Sequence, residues 1–149
     1  MKAYISIEHS WTHDDDGRGI AGKTFIDTFA AKLAEIAPGM NWNLAYHPYP
    51  AIMTDSNIWS SGYTTKDITT PFISGYNLDV LTRYIKNTYG SDKRIILSEQ
   101  GFTVTGGQEA KQAAALAYTY YMAEFDDMID AAIFRSLNDT PAEAAQGFQ

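Results

Sequence analysis

The chain contains no cysteine, which removes disulfides, thiol catalysis and Cys-based zinc sites from consideration in its 149 residues. It also lacks a basic surplus. Eleven Lys and Arg stand against 18 Asp and Glu, for a net charge of −7, so neither a nucleic acid nor an anionic membrane has a broad basic surface to meet. No stretch approaches the roughly 20 apolar residues of a membrane span. Met1-Lys2-Ala3 runs directly into a strand-like segment, so no signal peptide is expected. The chain is then either cytoplasmic or a piece of a longer polypeptide, and the location of that parent stays open. What is present is apolar and aromatic: 45% of the residues are hydrophobic and 13% are Phe, Trp or Tyr. That is enough for one compact core, and it suits both a Tyr-rich interior and a carbohydrate cleft, where rings stack on sugar faces.

Four short runs read as strands: Ala3–Ile7, Asn43–Tyr46, Arg94–Ser98 and Ala131–Arg135. Each is apolar and bounded by polar or Gly-containing segments. Three helical patterns lie between them. Thr24–Ala37 repeats Phe25, Phe29, Leu33 and Ile36 on one face, with Thr24 as cap and Pro38-Gly39 as stop. Asn77–Tyr89 aligns Leu78, Leu81 and Ile85 between an Asn77 cap and Gly90. Gly107–Asp127 carries Ala110, Ala113, Ala117, Tyr120, Tyr121 and Phe125 as its predicted stripe, after a capping box at Thr105 and Gln108.

Strand and helix alternate as β-α-β-α-β-α-β in units of roughly 40 residues, the size of a barrel module, which calls for a parallel sheet with right-handed crossovers. The long connections follow the strands, as they do when one rim of a barrel carries the chemistry. The predicted fold is therefore α/β, half of a (β/α)8 (TIM) barrel with four parallel strands and three helices, a single partial domain over residues 1–149. Asn138–Gln149 reads as a loop. The inner faces of such a half, at Ile5, Ile96 and Ile133, and its two parallel edges would lie bare. A missing N-terminal half, or a second copy in a homodimer, is the expected cover. No Gly-rich phosphate loop follows any strand, so no nucleotide cofactor is expected. No metal is expected either. Asp14-Asp15-Asp16-Gly17 has adjacent rather than alternating acids, and the twelfth position of a calcium loop counted from Asp14 is Phe25.

Three strand ends carry the candidate chemistry. In Ile95–Phe102, IILSEQGF, an apolar strand delivers Glu99 beside Gly101. A carboxylate there points into a barrel's mouth, where a nucleophile is needed, though a strand-end Glu paired with a Lys fits the same pattern. In Asn43–Pro50, NLAYHPYP, His47 follows a strand and Tyr49 lies between two prolines. His47 can bind a substrate hydroxyl or orient a carboxylate, or it can be structural, and Tyr49 can stack or donate. In Ile5–Thr12, ISIEHSWT, Glu8, His9 and Trp11 close the first strand, with Trp11 as the natural stacking platform and Glu8 as a local acid or a plain strand-end charge.

These segments resemble the glycoside hydrolases of clan A, the retaining (β/α)8 enzymes, and most closely a bacterial branch of that superfamily. LSEQGF is similar to the seventh-strand segment bearing the nucleophile, and AYHPYP to the sixth. ISIEHSW is similar to the fifth and FRSLNDTPAEAAQG to the eighth with its loop. The resemblance implies Glu99 as nucleophile, and His47, Tyr49, Trp11, His9 and Glu8 around a carbohydrate substrate. It also implies what is absent: the acid/base Glu of the fourth strand, usually preceded by Asn, has no counterpart, and Phe134-Arg135 stands where a Trp often closes the eighth strand. The expected function is a fragment of a retaining glycosidase acting on an oligosaccharide or polysaccharide, inactive alone. The alternatives are a non-catalytic carbohydrate-binding or self-assembling half-barrel and, third, an open α/β enzyme of another class.

Overall fold

A computed structural model of the chain describes residues 3–14, 17–59, 62–104, 106–136, 138 and 140–145. Its elements run β1 (Ala3–Glu8), α1 (Gly22–Ile36), β2 (Trp42–His47), α2 (Leu78–Tyr89), β3 (Ile95–Leu97), α3 (Glu109–Glu124), β4 (Ile129–Ala132) and a short α4 (Pro141–Ala145). The strands pair in parallel in the order β1-β2-β3-β4. This is an α/β fold of half-barrel type. Strand order follows chain order without reversal, and Ile26 of α1, Leu81 and Ile85 of α2 and Ala123 of α3 share one core with Ile7, Leu44, Tyr46, Ile95 and Leu97 of the strands. All three crossover helices therefore cover the same face of the sheet, whereas a doubly wound open sheet reverses its strand order and is covered on both faces.

Strand alternation sends the remaining residues to the opposite face, which would be the inside of a closed barrel. Ser6, Glu8 and His47 point there together. Ile96 is half-buried and Ile133 exposed. Ile5, expected on that inner face, instead packs against the helix-side core.

The helices differ from the sequence pattern in instructive ways. α1 begins two residues before Thr24, at Gly22, which fits because a Cβ there would lie 2.8 Å from both Ile7 Cγ2 and Ser10 O. Its buried positions are Gly22 and Ile26, with Phe29, Ala30 and Leu33 beside them, while Phe25 and Ile36 face outward. α2 buries Leu78, Leu81 and Ile85 as its stripe requires. Asn77 sits at its N-cap position but turns its side chain away from the helix. Oδ1 accepts from Ser74 N–H (2.9 Å) and Nδ2 donates to Thr65 O (2.8 Å) and Phe72 O (3.0 Å), which ties down the β2–α2 loop.

The predicted stripe of α3 is the wrong face. Ala110, Ala113, Ala117, Tyr120, Tyr121 and Phe125 lie exposed, and Ala115, Thr119 and Ala123 are buried. The helix is apolar nearly all round, so periodicity does not choose a side; closeness of approach does. Thr119 meets Gly75 so tightly that any Cβ at position 75 would overlap its side chain. Thr105, half of the expected capping box, lies outside the described residues, and Gln108 makes no side-chain cap bond. The tail, read as loop, contains α4.

The long β2–α2 connection folds back over the rim. Ser10 pairs with Phe72 in an isolated antiparallel bridge, Trp11 N–H donates to Pro71 O (2.8 Å), and Ile73 N–H donates to His9 O (2.9 Å). Trp11 is thereby sealed in the core, its ring edge-on to Tyr84 and its indole N–H donating to Ile68 O at 3.0 Å. It is no stacking platform. Both faces of the ring are covered, so Trp11 is removed from the substrate-binding set.

Candidate active site

The parallel register brings the strand ends level. Glu8 pairs with His47 across β1 and β2, and Tyr46 with Leu97 across β2 and β3, which places Glu99 two residues past the end of β3 on the same rim. After β2 the chain makes a tight turn at Pro48, with Tyr49 N–H donating to His47 O at 2.9 Å, and Tyr49 reaches across to Glu99. Its phenol donates to Glu99 Oε1 at 2.6 Å. Burial first, and then this bond to Glu99, push the Tyr49 pKa above the ordinary tyrosine value, so the phenol stays a donor.

A second group meets the same oxygen. Arg135 Nη1 lies 3.7 Å from Glu99 Oε1, and both side chains are open to the mouth. Sequence reasoning passed over Arg135 except as the residue found where a Trp is common. What brings it in is Gly101. A Cβ on residue 101 would collide with Arg135 O, and Arg135 N–H donates to Gln100 O at 2.7 Å. The glycine in SEQGF therefore serves close approach of the chain leaving β4, rather than a left-handed turn.

His47 is engaged at both ring nitrogens. Nδ1 lies 2.9 Å from Glu8 Oε1, and Nε2 lies 3.3 Å from Ser6 Oγ. A carboxylate only accepts, so Nδ1 carries a proton, while Nε2 faces the Ser6 hydroxyl. His47 therefore orients a carboxylate, as one sequence reading had it, and offers no spare nitrogen to a substrate hydroxyl, as the other had it. Ser6, which the sequence did not single out, is a surface serine pointing into the mouth.

His9 stacks on Phe72 with ring centroids 5.3 Å apart and stands edge-on to Tyr49 at 6.4 Å. Its Nδ1 is buried without a hydrogen-bond partner among the described residues. Burial lowers its pKa, opposed by the Glu8 charge and reinforced by His47. A neutral imidazole results, half-buried beside the Tyr49–Glu99 pair. Of the six site residues expected from sequence, five therefore lie along one rim: Glu99, Tyr49, His47, His9 and Glu8. Among the described residues no group of three or more His, Asp or Glu is placed to hold a metal ion, and no helix is long and apolar enough to cross a membrane.

Fold and rim together define a half-barrel α/β protein with a carboxylate, a phenol and a guanidinium meeting at the C-terminal ends of its strands. The chain belongs to DUF5722, a family of unknown function, which matches it over residues 1–149. No curated protein and no solved structure matches the chain.

Proposed function

We propose that this chain is the C-terminal half of a retaining glycoside hydrolase of clan A type, with Glu99 as nucleophile. The observation that carries the reading is the 2.6 Å bond from Tyr49 to Glu99 Oε1, with Arg135 on the same oxygen. The Tyr49 hydrogen bond orients the carboxylate, with the Arg135 charge 3.7 Å from the same oxygen, and leaves Oε2 as the attacking atom. In a retaining mechanism Oε2 bonds to the anomeric carbon as the glycosidic bond breaks. A second carboxyl group, about 5–5.5 Å away, protonates the leaving oxygen and then activates water to release the sugar. That acid would come from the preceding half of the barrel. A slowly turned-over β-glycoside added to the full-length parent should leave a glycosyl ester on Glu99, read as a mass increment on its peptide. An adduct on another carboxylate would remove Glu99 from the role.

A second reading is favoured by the apolar side chains that remain open beside the outer strands: Ile20 next to β1, and Phe125 and Ile133 next to β4. Each buried square ångström of such surface is worth roughly 25 cal/mol. A two-fold dimer could pair the β1 edge of one copy with the β4 edge of the other. Sedimentation velocity at micromolar concentration should then show a dimer of the isolated chain. A sharply melting monomer would exclude this self-assembling module.

A further inference from the structure

Resting on the reading of Glu99 as nucleophile, we propose that His9 is a positioning residue: stacked on Phe72, its ring holds Tyr49 where the phenol donates to Glu99. Three observations carry the proposal. First, His9 has the contacts of a brace. Its ring lies face to face with Phe72, centroids 5.3 Å apart at 25°, and stands edge-on to Tyr49 at 6.4 Å and 74°. Both pairs are within the range in which aromatic rings attract. Second, the two stacked rings are held by their own backbones. Ile73 N–H donates to His9 O at 2.9 Å, and Ser10 pairs with Phe72 in the antiparallel bridge. Third, no hydrogen bond competes at the buried side of the imidazole. Nδ1 has no partner among the described residues, and burial lowers the pKa of His9, so it packs as a neutral ring rather than as a charge.

Tyr49 needs such a support. Its side chain spans from the end of β2 to Glu99 beyond β3, and one 2.6 Å bond fixes the far end. Toward β3 the ring comes up against Gly101, where a Cβ would lie 3.8 Å from Tyr49 Cε1. Toward β1 its ring neighbour is His9. With His9 removed, Tyr49 gains freedom to turn about its side-chain bonds, and the phenol leaves Oε1 for part of the time. A carboxylate that is free to rotate no longer presents Oε2 to one point in space. The long β2–α2 connection thus acts on the nucleophile without touching it, through Phe72, His9 and Tyr49 in turn. These contacts lie between the neighbouring ends of β1 and β2, away from the free edge of β1.

In the 149-residue chain, NMR of the Tyr49 hydroxyl proton, assigned by its loss in Tyr49→Phe, reads the bond to Glu99. His9→Ala should speed the exchange of that proton with water about tenfold. His9→Phe, which keeps a ring and drops the nitrogens, should recover most of the protection. In the full-length parent, His9→Ala should lower kcat about tenfold with KM within about twofold of its starting value, again largely recovered by His9→Phe. Combined with Tyr49→Phe, His9→Ala should lower kcat no further, since the group it holds is gone. Unchanged hydroxyl exchange in His9→Ala overturns the brace. So does a loss of activity that His9→Phe leaves unrecovered, that falls on KM, or that adds in full to Tyr49→Phe, because such a loss places the imidazole against the substrate instead. A parent whose Glu99 takes no glycosyl ester sinks the nucleophile reading, while the hydroxyl exchange still decides whether His9 holds Tyr49.

Discussion

Glu99→Gln in the full-length parent should lower turnover by roughly 10⁴-fold or more, while moving the melting temperature by no more than a few degrees. An amide oxygen is far too weak a nucleophile to bond to an anomeric carbon, and a loss of that size corresponds to about 5 kcal/mol of barrier. Stability should hold because Glu99 lies outside the helix-side core and is 36% exposed. Tyr49 keeps an acceptor, since the amide oxygen can take the place of Oε1. Steady-state kinetics and calorimetry on the same preparation separate the two effects. A variant that turns over every accepted glycoside at the original rate would show that the Tyr49–Glu99 pair is structural. A variant that melts far lower would show that it braces β2 against β3.

Trp11→Ala should do the opposite, removing stability whatever the ligand. The ring is fully buried against Tyr84, and its N–H is the partner of Ile68 O. Truncating a buried Trp typically costs about 3–5 kcal/mol, and an orphaned carbonyl adds to that. Set against a usual domain stability of about 5–15 kcal/mol, this is a large share of the whole. The midpoint of urea unfolding should fall steeply, and the loop that Trp11 pins through Ile68 and Pro71 should become open to limited proteolysis. Trp11→Phe should recover part of the loss, since it restores ring volume without the N–H. If Trp11→Ala instead left the midpoint unchanged and weakened sugar binding, the residue would be a platform after all, and the packing of the rim loop would be wrong.

The two residues stand in a similar place in sequence, each just beyond a strand, yet they do different work. Local pattern accounts for the first. Ile95–Leu97 is an apolar strand, so Glu99, two residues beyond it, emerges at its C-terminal end, as do Glu8 and His47, the last residues of β1 and β2. The alternation of strands and helices, the parallel pairing and the stripe of α2 are legible for the same reason: they depend on periods of two and 3.6 residues within one segment.

Nonlocal packing accounts for the rest. Trp11 became core because the distant segment around Ile68–Ile73 folds back over it. Nothing within ISIEHSWT encodes that return. The buried face of α3 was chosen by the fit of Thr119 to Gly75, because a helix of alanines and tyrosines offers the sheet an apolar surface on every side. Arg135 reached Glu99 because Gly101 has no side chain to keep the two connections apart. Ser6 gained a role only once the register set it beside His47. Sequence by itself determined the order of the elements and the rim on which the polar residues gather, since both follow from repeats a few residues long. Which of those residues meet was decided by the tertiary structure, since contact depends on how far apart in the chain two surfaces are when they close.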